Sequence, residues 1–289
     1  MSQIIDSHVH FFDPTRAGGV PWPSKDLPTL YMPAMPGRLE VLSRAFGICG
    51  CIAIECTPLL EDNDWLLRVA DAHPFVLGVI GNLDPGDPAY SRHLDKFRKN
   101  PLFLGIRYGN LWNRDLLADL KKPGFVDGIR SLADAGLVFE SANPDPKLIR
   151  ALLEIVDAIP HLCIVLDHIP NAKLPQDARA VNAFHDDLAA LAKNPLVYVK
   201  LSEIPVATAG VLISRPEYYR DKLDPLWDLF GPDRVIFGSD WPNSDQVAGY
   251  DQIFAITSAY LASKSAEARE GYFWKNSELA YRWSRRSAE

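Results

Sequence analysis

Near its start the chain runs Ile4-Ile5-Asp6-Ser7-His8-Val9-His10-Phe11-Phe12. On a β-strand, residues i and i+2 point to one face. His8 and His10 therefore present two imidazoles side by side, with Asp6 one step lower on that face. Two imidazoles aimed at one point can bind a metal ion or polarise a substrate oxygen. More chemistry-bearing residues follow, each where an apolar run ends: Glu55-Cys56, Asn82 with Asp84, Arg107-Tyr108, Glu140-Ser141, Asp167-His168, Lys200 with Ser202 and Glu203, and Ser239-Asp240-Trp241. One polar residue at one strand end is a turn residue. Imidazoles, a guanidinium and carboxylates at most of them describe a catalytic centre.

The apolar runs that carry these residues span 4–11, 50–56, 75–83, 103–107, 137–141, 163–168, 197–202 and 234–240. They are rich in Val, Ile, Leu and Phe, as strands buried on both faces should be. Amphipathic patterns separate them, at 39–46, 64–72, 89–99, 125–135, 146–158, 177–193, 216–230 and 246–261. Asp145-Pro146 is an N-cap followed by Pro at the first helical position, and Gly47, Gly136 and Gly231 stand where helices should stop. Eight β–α alternations predict an α/β chain folded as one (β/α)₈ TIM barrel over residues 1–289. An open doubly wound sheet is the rival, and no GxGxxG follows the first strand to support its dinucleotide-binding form. In a barrel, catalysis sits at the C-terminal ends of the strands, where the polar residues named above fall. The proline-rich segment 13–38 leaves strand one at that face and is expected to be a lid over the site. The tail 267–283 is expected to form a further helix packed on the barrel by its aromatics.

At 289 residues, with 47% apolar and 23% charged, the chain has ample material for a core. The net charge is −7 and no Lys/Arg block appears, which points away from a nucleic-acid surface. No apolar run approaches the ~18 residues of a membrane span. The four cysteines, Cys49, Cys51, Cys56 and Cys163, lie in strand-like runs without a CxxC pair. They are expected to be buried free thiols. With no secretory leader pattern, that favours a cytoplasmic setting. Oligomeric state is not legible, and a homo-oligomer stays open.

Asp6-x-His8-x-His10-Phe11, Gly105-Ile106-Arg107, Asp167-His168-Ile169-Pro170 and Phe237-Gly238-Ser239-Asp240-Trp241-Pro242 resemble, in this order, the amidohydrolase superfamily. The match covers nearly the whole chain. It is closest to the amidohydrolase-2 branch of sugar and dicarboxylate lactonases. Pro21-Trp22-Pro23 resembles its fuconolactonase and rhamnonolactonase group. The resemblance implies a distorted (β/α)₈ barrel that hydrolyses lactones, with Asp240 as general base and His8, His10 and His168 as site histidines. It also implies that Arg107 holds a carbonyl or carboxylate of the substrate. Tyr108, Trp112, Trp22 and Trp241 are candidate walls for a sugar ring. Metal-dependent relatives commonly carry His, or a bridging Lys or Glu, on strands four and five, whereas here those strands offer Arg107 and Phe139-Glu140-Ser141. The resemblance thus implies no obligatory cofactor. It leaves open one divalent ion, zinc foremost, on His8, His10 and Asp240 with Glu140 or His168. Lys200 is expected to be a structural partner of Asp6 or Glu140. Two other readings stand beside the lactonase: a mononuclear zinc decarboxylase or amide hydrolase, and a non-catalytic carbohydrate-binding barrel.

Overall fold

A computed structural model describes residues 3–286. Eight parallel strands follow one another around a single sheet: β1 (Ile4–Val9), β2 (Ile48–Ile54), β3 (Val76–Gly81), β4 (Phe103–Arg107), β5 (Val138–Glu140), β6 (Ile164–Leu166), β7 (Val197–Leu201) and β8 (Val235–Phe237). Each is followed by a helix on the outside: α1 (Pro36–Ser43), α2 (Glu61–Ala72), α3 (Tyr90–Phe97), α4 (Phe125–Asp134), α5 (Pro146–Ala158), α6 (Ala178–Leu191), α7 (Pro216–Phe230) and α8 (Tyr250–Leu261). This is the (β/α)₈ barrel. Helix starts follow local chemistry. Asp145 and Asp177 accept backbone N–H groups of Leu148 and Ala180 and so cap α5 and α6. Among the described residues no helix is long and apolar enough to cross a membrane.

The sheet closes beyond the end of β8 rather than along it. Asp240 N–H donates to His8 O at 2.9 Å, and His10 N–H donates to Trp241 O at 2.8 Å. His8, His10, Asp240 and Trp241, four residues at or beside the candidate site, are therefore also the seam of the barrel. The seam leaves no room for a side chain at Gly238. A Cβ there would lie 2.6 Å from His8 Cβ. Gly238→Ala is expected to cost about 1–3 kcal/mol, the usual penalty of overpacking, and to lower activity by displacing His8. Thermal unfolding together with turnover checks this; wild-type values for both would show that the seam yields.

The interior and exterior of the barrel are separate apolar clusters. Ile5, Ile52, Ile54, Leu77, Val138, Val165, Tyr198 and Ile236 fill the inside. Tyr281 and Trp283 from the C-terminal tail join them and plug the bottom. The tail is not the single helix expected. It runs as Ala266–Glu270, a π-helical turn Gly271–Lys275, and Asn276–Tyr281. Within the π turn the Tyr272 hydroxyl reaches the Leu201 carbonyl at 2.8 Å. Of the cysteines, Cys51 and Cys56 are buried as expected, but Cys163 is only half-buried and Cys49 is exposed; all four are free.

β1 departs from simple alternation. Asp6 pairs with Cys51 and Val9 with Ala53, so β1 spends one residue more than β2 over this stretch. Such a bulge reverses facing parity. Ile5 points inward and Asp6 does not share the face of His8, contrary to expectation. Asp6 accepts from Ser239 N–H and from the Tyr250 hydroxyl, both at 2.9 Å, and ties the seam from outside. His8 and His10 still share the inner face.

Candidate active site

The mouth of the barrel converges on one oxygen. Asp240 Oδ1 lies 3.2 Å from His10 Nε2, 3.5 Å from His8 Nε2 and 3.9 Å from His168 Nε2. Asp240 Oδ2 is held at 2.6 Å by the Asn243 amide, which also donates to Glu203 Oε1 at 3.1 Å. Burial pushes the Asp240 carboxyl up to about 7, despite these bonds and the nearby Arg107. Burial also drives the imidazoles toward the neutral form: His10 to about 4, and His8 and His168 well below the ordinary value.

The outer nitrogens of these rings have assigned duties. His10 Nδ1 meets the Ile54 carbonyl at 3.0 Å, which places its proton there and leaves Nε2 as a lone pair. His168 Nδ1 meets Ser202 Oγ at 2.7 Å. Lys200 Nζ lies 3.0 Å from His8 Nδ1. An ammonium has no acceptor to offer, so His8 Nδ1 accepts and its proton sits on Nε2, facing Asp240.

Beneath His8 lies a buried ionic layer. Lys200 reaches Glu140 Oε1 at 2.7 Å and Asp167 Oδ1 at 3.2 Å, and the Tyr281 hydroxyl donates to Glu140 Oε2 at 2.6 Å. Lys200 thus pairs with Glu140, not Asp6. Burial, with Asp167 alongside, pushes Glu140 up to about 7 against the pull of Lys200. Both oxygens of Asp167 lack a hydrogen bond among the described residues, so charge alone balances them.

Asp240, His10, His168 and Arg107 line a cavity of about 230 Å³, together with Trp22, Cys56, Leu111, Trp112, Asn143, Glu203 and Asn243. Trp22 comes from the segment after β1, where Arg16 is anchored to both oxygens of Asp62 at 2.7 Å. Arg107 donates to Glu55 Oε1 and to the Glu55 carbonyl, and Trp112 Nε1 donates to Glu55 Oε2 at 3.2 Å. Asp240, His168, Glu203, Asn143 and Trp112 all have positive φ, between 51° and 61°. Non-glycine residues in this region store strain of about 1–3 kcal/mol each, and such strain collects at functional sites.

Three expectations need correction. Tyr108 does not line the cavity: it is 1% exposed, and its hydroxyl is spent on Asp119 Oδ2 at 2.7 Å. Trp241 is fully buried behind the seam under the Arg38 guanidinium. Glu140 faces Nδ1 of His8, at 3.7 Å, while Asp240 faces Nε2, so the ligand set His8, His10, Asp240 and Glu140 is not brought together. The structure groups His8, His168 and Asp240 instead, with ligand atoms within 4.8 Å of one another. Burial, spacing and the unpartnered His8 Nε2 fit one divalent ion, provided that the His8 proton moves to Nδ1, toward Asp167 Oδ1 at 3.4 Å. Glu203 and Asn243 were not assigned from sequence. Asn243 carried one signal: a polar residue three positions after Asp240, where a tight turn can fold it back.

The amidohydrolase family model matches residues 5–283. The chain belongs to this family. It is 31% identical to an L-fucono-1,5-lactonase of Burkholderia ambifaria over 91% of this chain and 87% of that one. A second L-fucono-1,5-lactonase, from Burkholderia multivorans, is 28% identical over 93% and 92%. The crystal structure of a Burkholderia multivorans amidohydrolase with bound zinc superposes with a TM-score of 0.84 at 23% identity, over 98% of this chain and all of the other. That likeness establishes the shared fold of this amidohydrolase barrel.

Proposed function

We propose that this amidohydrolase is a lactonase that opens a small sugar-acid lactone with water activated by Asp240. One observation carries the reading: a buried carboxylate oxygen, poised near pH 7, ringed by neutral imidazole nitrogens. The L-fucono-1,5-lactonases among its relatives support it. Asn243 occupies Oδ2, so Oδ1 is free to take a proton from water. The His10 Nε2 lone pair orients that water. Arg107, which lines the cavity, is the donor for the negative charge that develops on the lactone carbonyl oxygen, a role worth about 3–4 kcal/mol, while the buried His8 Nε2–H faces Asp240 Oδ1 at 3.5 Å. The protonated Asp240 then returns its proton to the leaving alkoxide. Arg107 is already paired with Glu55, which favours a sugar-acid ring over a dicarboxylate that would bring a second anion. The segment around Trp22 covers the ring as a lid. A divalent ion, zinc by donor type, would be held by His8, His168 and Asp240 and would supply Lewis acidity to the carbonyl when bound.

A general base must be unprotonated to act. Its pKa of about 7 places the acidic limb of kcat/KM near pH 7 rather than near 4, where an ordinary aspartate titrates. A pH-stat assay over a panel of sugar-acid and dicarboxylic-acid lactones, with and without chelator, checks both substrate class and limb. No turnover of any lactone sinks the reading, and a limb near 4 removes Asp240 as the base.

A further inference from the structure

The catalytic cavity meets a second one, of about 400 Å³, on the side of β5 to β8. Asn143, His168, Glu203 and Asn243 line both. The second cavity continues over Asn171, Lys173, Gln246 and Val247. Small-molecule sites usually enclose about 300–1,000 Å³. The inner cavity alone falls short of that range and the joined space lies within it. On the opposite side Trp22, Leu111 and Trp112 wall the inner cavity, so polar room lies toward the second cavity.

The chemistry of the outer walls is that of hydroxyl recognition. Asn171 and Gln246 spend their amide N–H groups on Glu203 and Asn243. Their amide oxygens accept no hydrogen bond among the described residues, and Lys173 makes no ion pair there. Acceptors and a cationic donor are thus left to whatever enters. One carboxyl, Glu203, and one ammonium, Lys173, offset each other, which suits an uncharged occupant. No Phe, Tyr or Trp lines this cavity among the described residues; its one ring is the His168 imidazole, shared with the inner cavity.

We propose that the outer cavity is a second subsite, binding a glycosyl substituent carried by the lactone, so that lactones of disaccharide aldonic acids are preferred over bare monosaccharide ones. This rests on lactone hydrolysis at Asp240. Val247 is 44% exposed and lines only the outer cavity, so Val247→Trp fills the subsite without touching the inner cavity.

The test compares kcat/KM for glucono-1,5-lactone with that for cellobiono-, maltobiono- and lactobiono-1,5-lactone. The expected result is at least a tenfold advantage for one of the three. Val247→Trp should abolish that advantage and leave gluconolactone turnover unchanged. No advantage for any of the three overturns the subsite while bare-lactone turnover keeps the lactonase reading standing. An advantage that survives Val247→Trp places the substituent elsewhere and also overturns it. If bare lactones other than gluconolactone are the ones hydrolysed, calorimetric binding of the three aldobionates against gluconate decides by the same tenfold criterion. Absence of all lactone hydrolysis removes the proposal together with its premise.

Discussion

Asp240→Asn lowers kcat by about 10²–10⁴-fold, the span a positioned general base contributes, and stabilises the fold at alkaline pH while doing so. The substitution keeps shape. Asn adopts left-handed backbone more readily than most residues, and position 240 has φ 61°. An amide oxygen can still accept from Asn243. The stability sign follows from the carboxyl. Its folded pKa is about 7 and its ordinary value 3.8, so between those values the folded state holds a proton that the unfolded chain has released. Stability from this group is therefore present below the ordinary value and lost as pH rises through the folded one. Removing the group removes that loss. The variant should melt above the wild type at pH 8, and the two should converge near pH 4. Turnover and thermal melts across this range measure both effects. Near wild-type turnover with an intact fold would dismiss Asp240 as the base. A variant less stable at pH 8 would show that the fold depends on the buried charge.

Much of this site was legible because a barrel ties catalysis to strand ends. Once eight apolar runs are found, their last residues name His8, His10, Arg107, His168 and Asp240 without coordinates. Helix α5 was legible to the residue, because Asp145-Pro146 states its start. What escaped depends on local backbone geometry. Asp6 was placed with His8 by counting in twos, and the bulge between Asp6 and Val9 breaks that count. Tyr108 and Trp241 sit beside true site residues. Whether an aromatic one position on faces a cavity or the core depends on strand exit angles, here set by the short helical turn Leu116–Asp119 and by the seam. Glu140 has the chemistry of a ligand, and only the positions of Lys200 and Tyr281 reveal that it is already engaged. Of the five positive-φ residues around the cavity, Asn143, Asp240 and His168 are of types enriched in that region, but Trp112 and Glu203 carry no such signal.

Lys200→Met carries the other large effect, and it separates two roles of His8. The ammonium is fully buried between Glu140, Asp167 and His8. Removing one partner of a buried ion pair typically costs about 3–5 kcal/mol, because the remaining charge is left uncompensated. Lys200→Met should lose stability on that scale. Adding Glu140→Gln withdraws one of the two stranded carboxylates, leaving Asp167 beside Arg107, and should recover part of the loss, as non-additivity is expected of contacting groups. The double variant then isolates the proton on His8. With Lys200 present, Nδ1 accepts and Nε2–H faces Asp240, which makes His8 a donor toward the Asp240 carboxylate and not a ligand for an ion. Without it, Nδ1–H can turn to Asp167, whose oxygens have no other hydrogen bond among the described residues. The Nε2 lone pair is then released toward His168 and Asp240, the group spaced for an ion. The folded double variant is therefore expected to bind zinc at least tenfold more tightly than the wild type and to turn over lactones more slowly without added metal. Imidazole ¹⁵N shifts should move His8 from the Nε2–H to the Nδ1–H form. A wild type already in the Nδ1–H form, with zinc affinity unchanged by the substitutions, would mean that Lys200 balances charge beneath the site and does not choose the tautomer of His8.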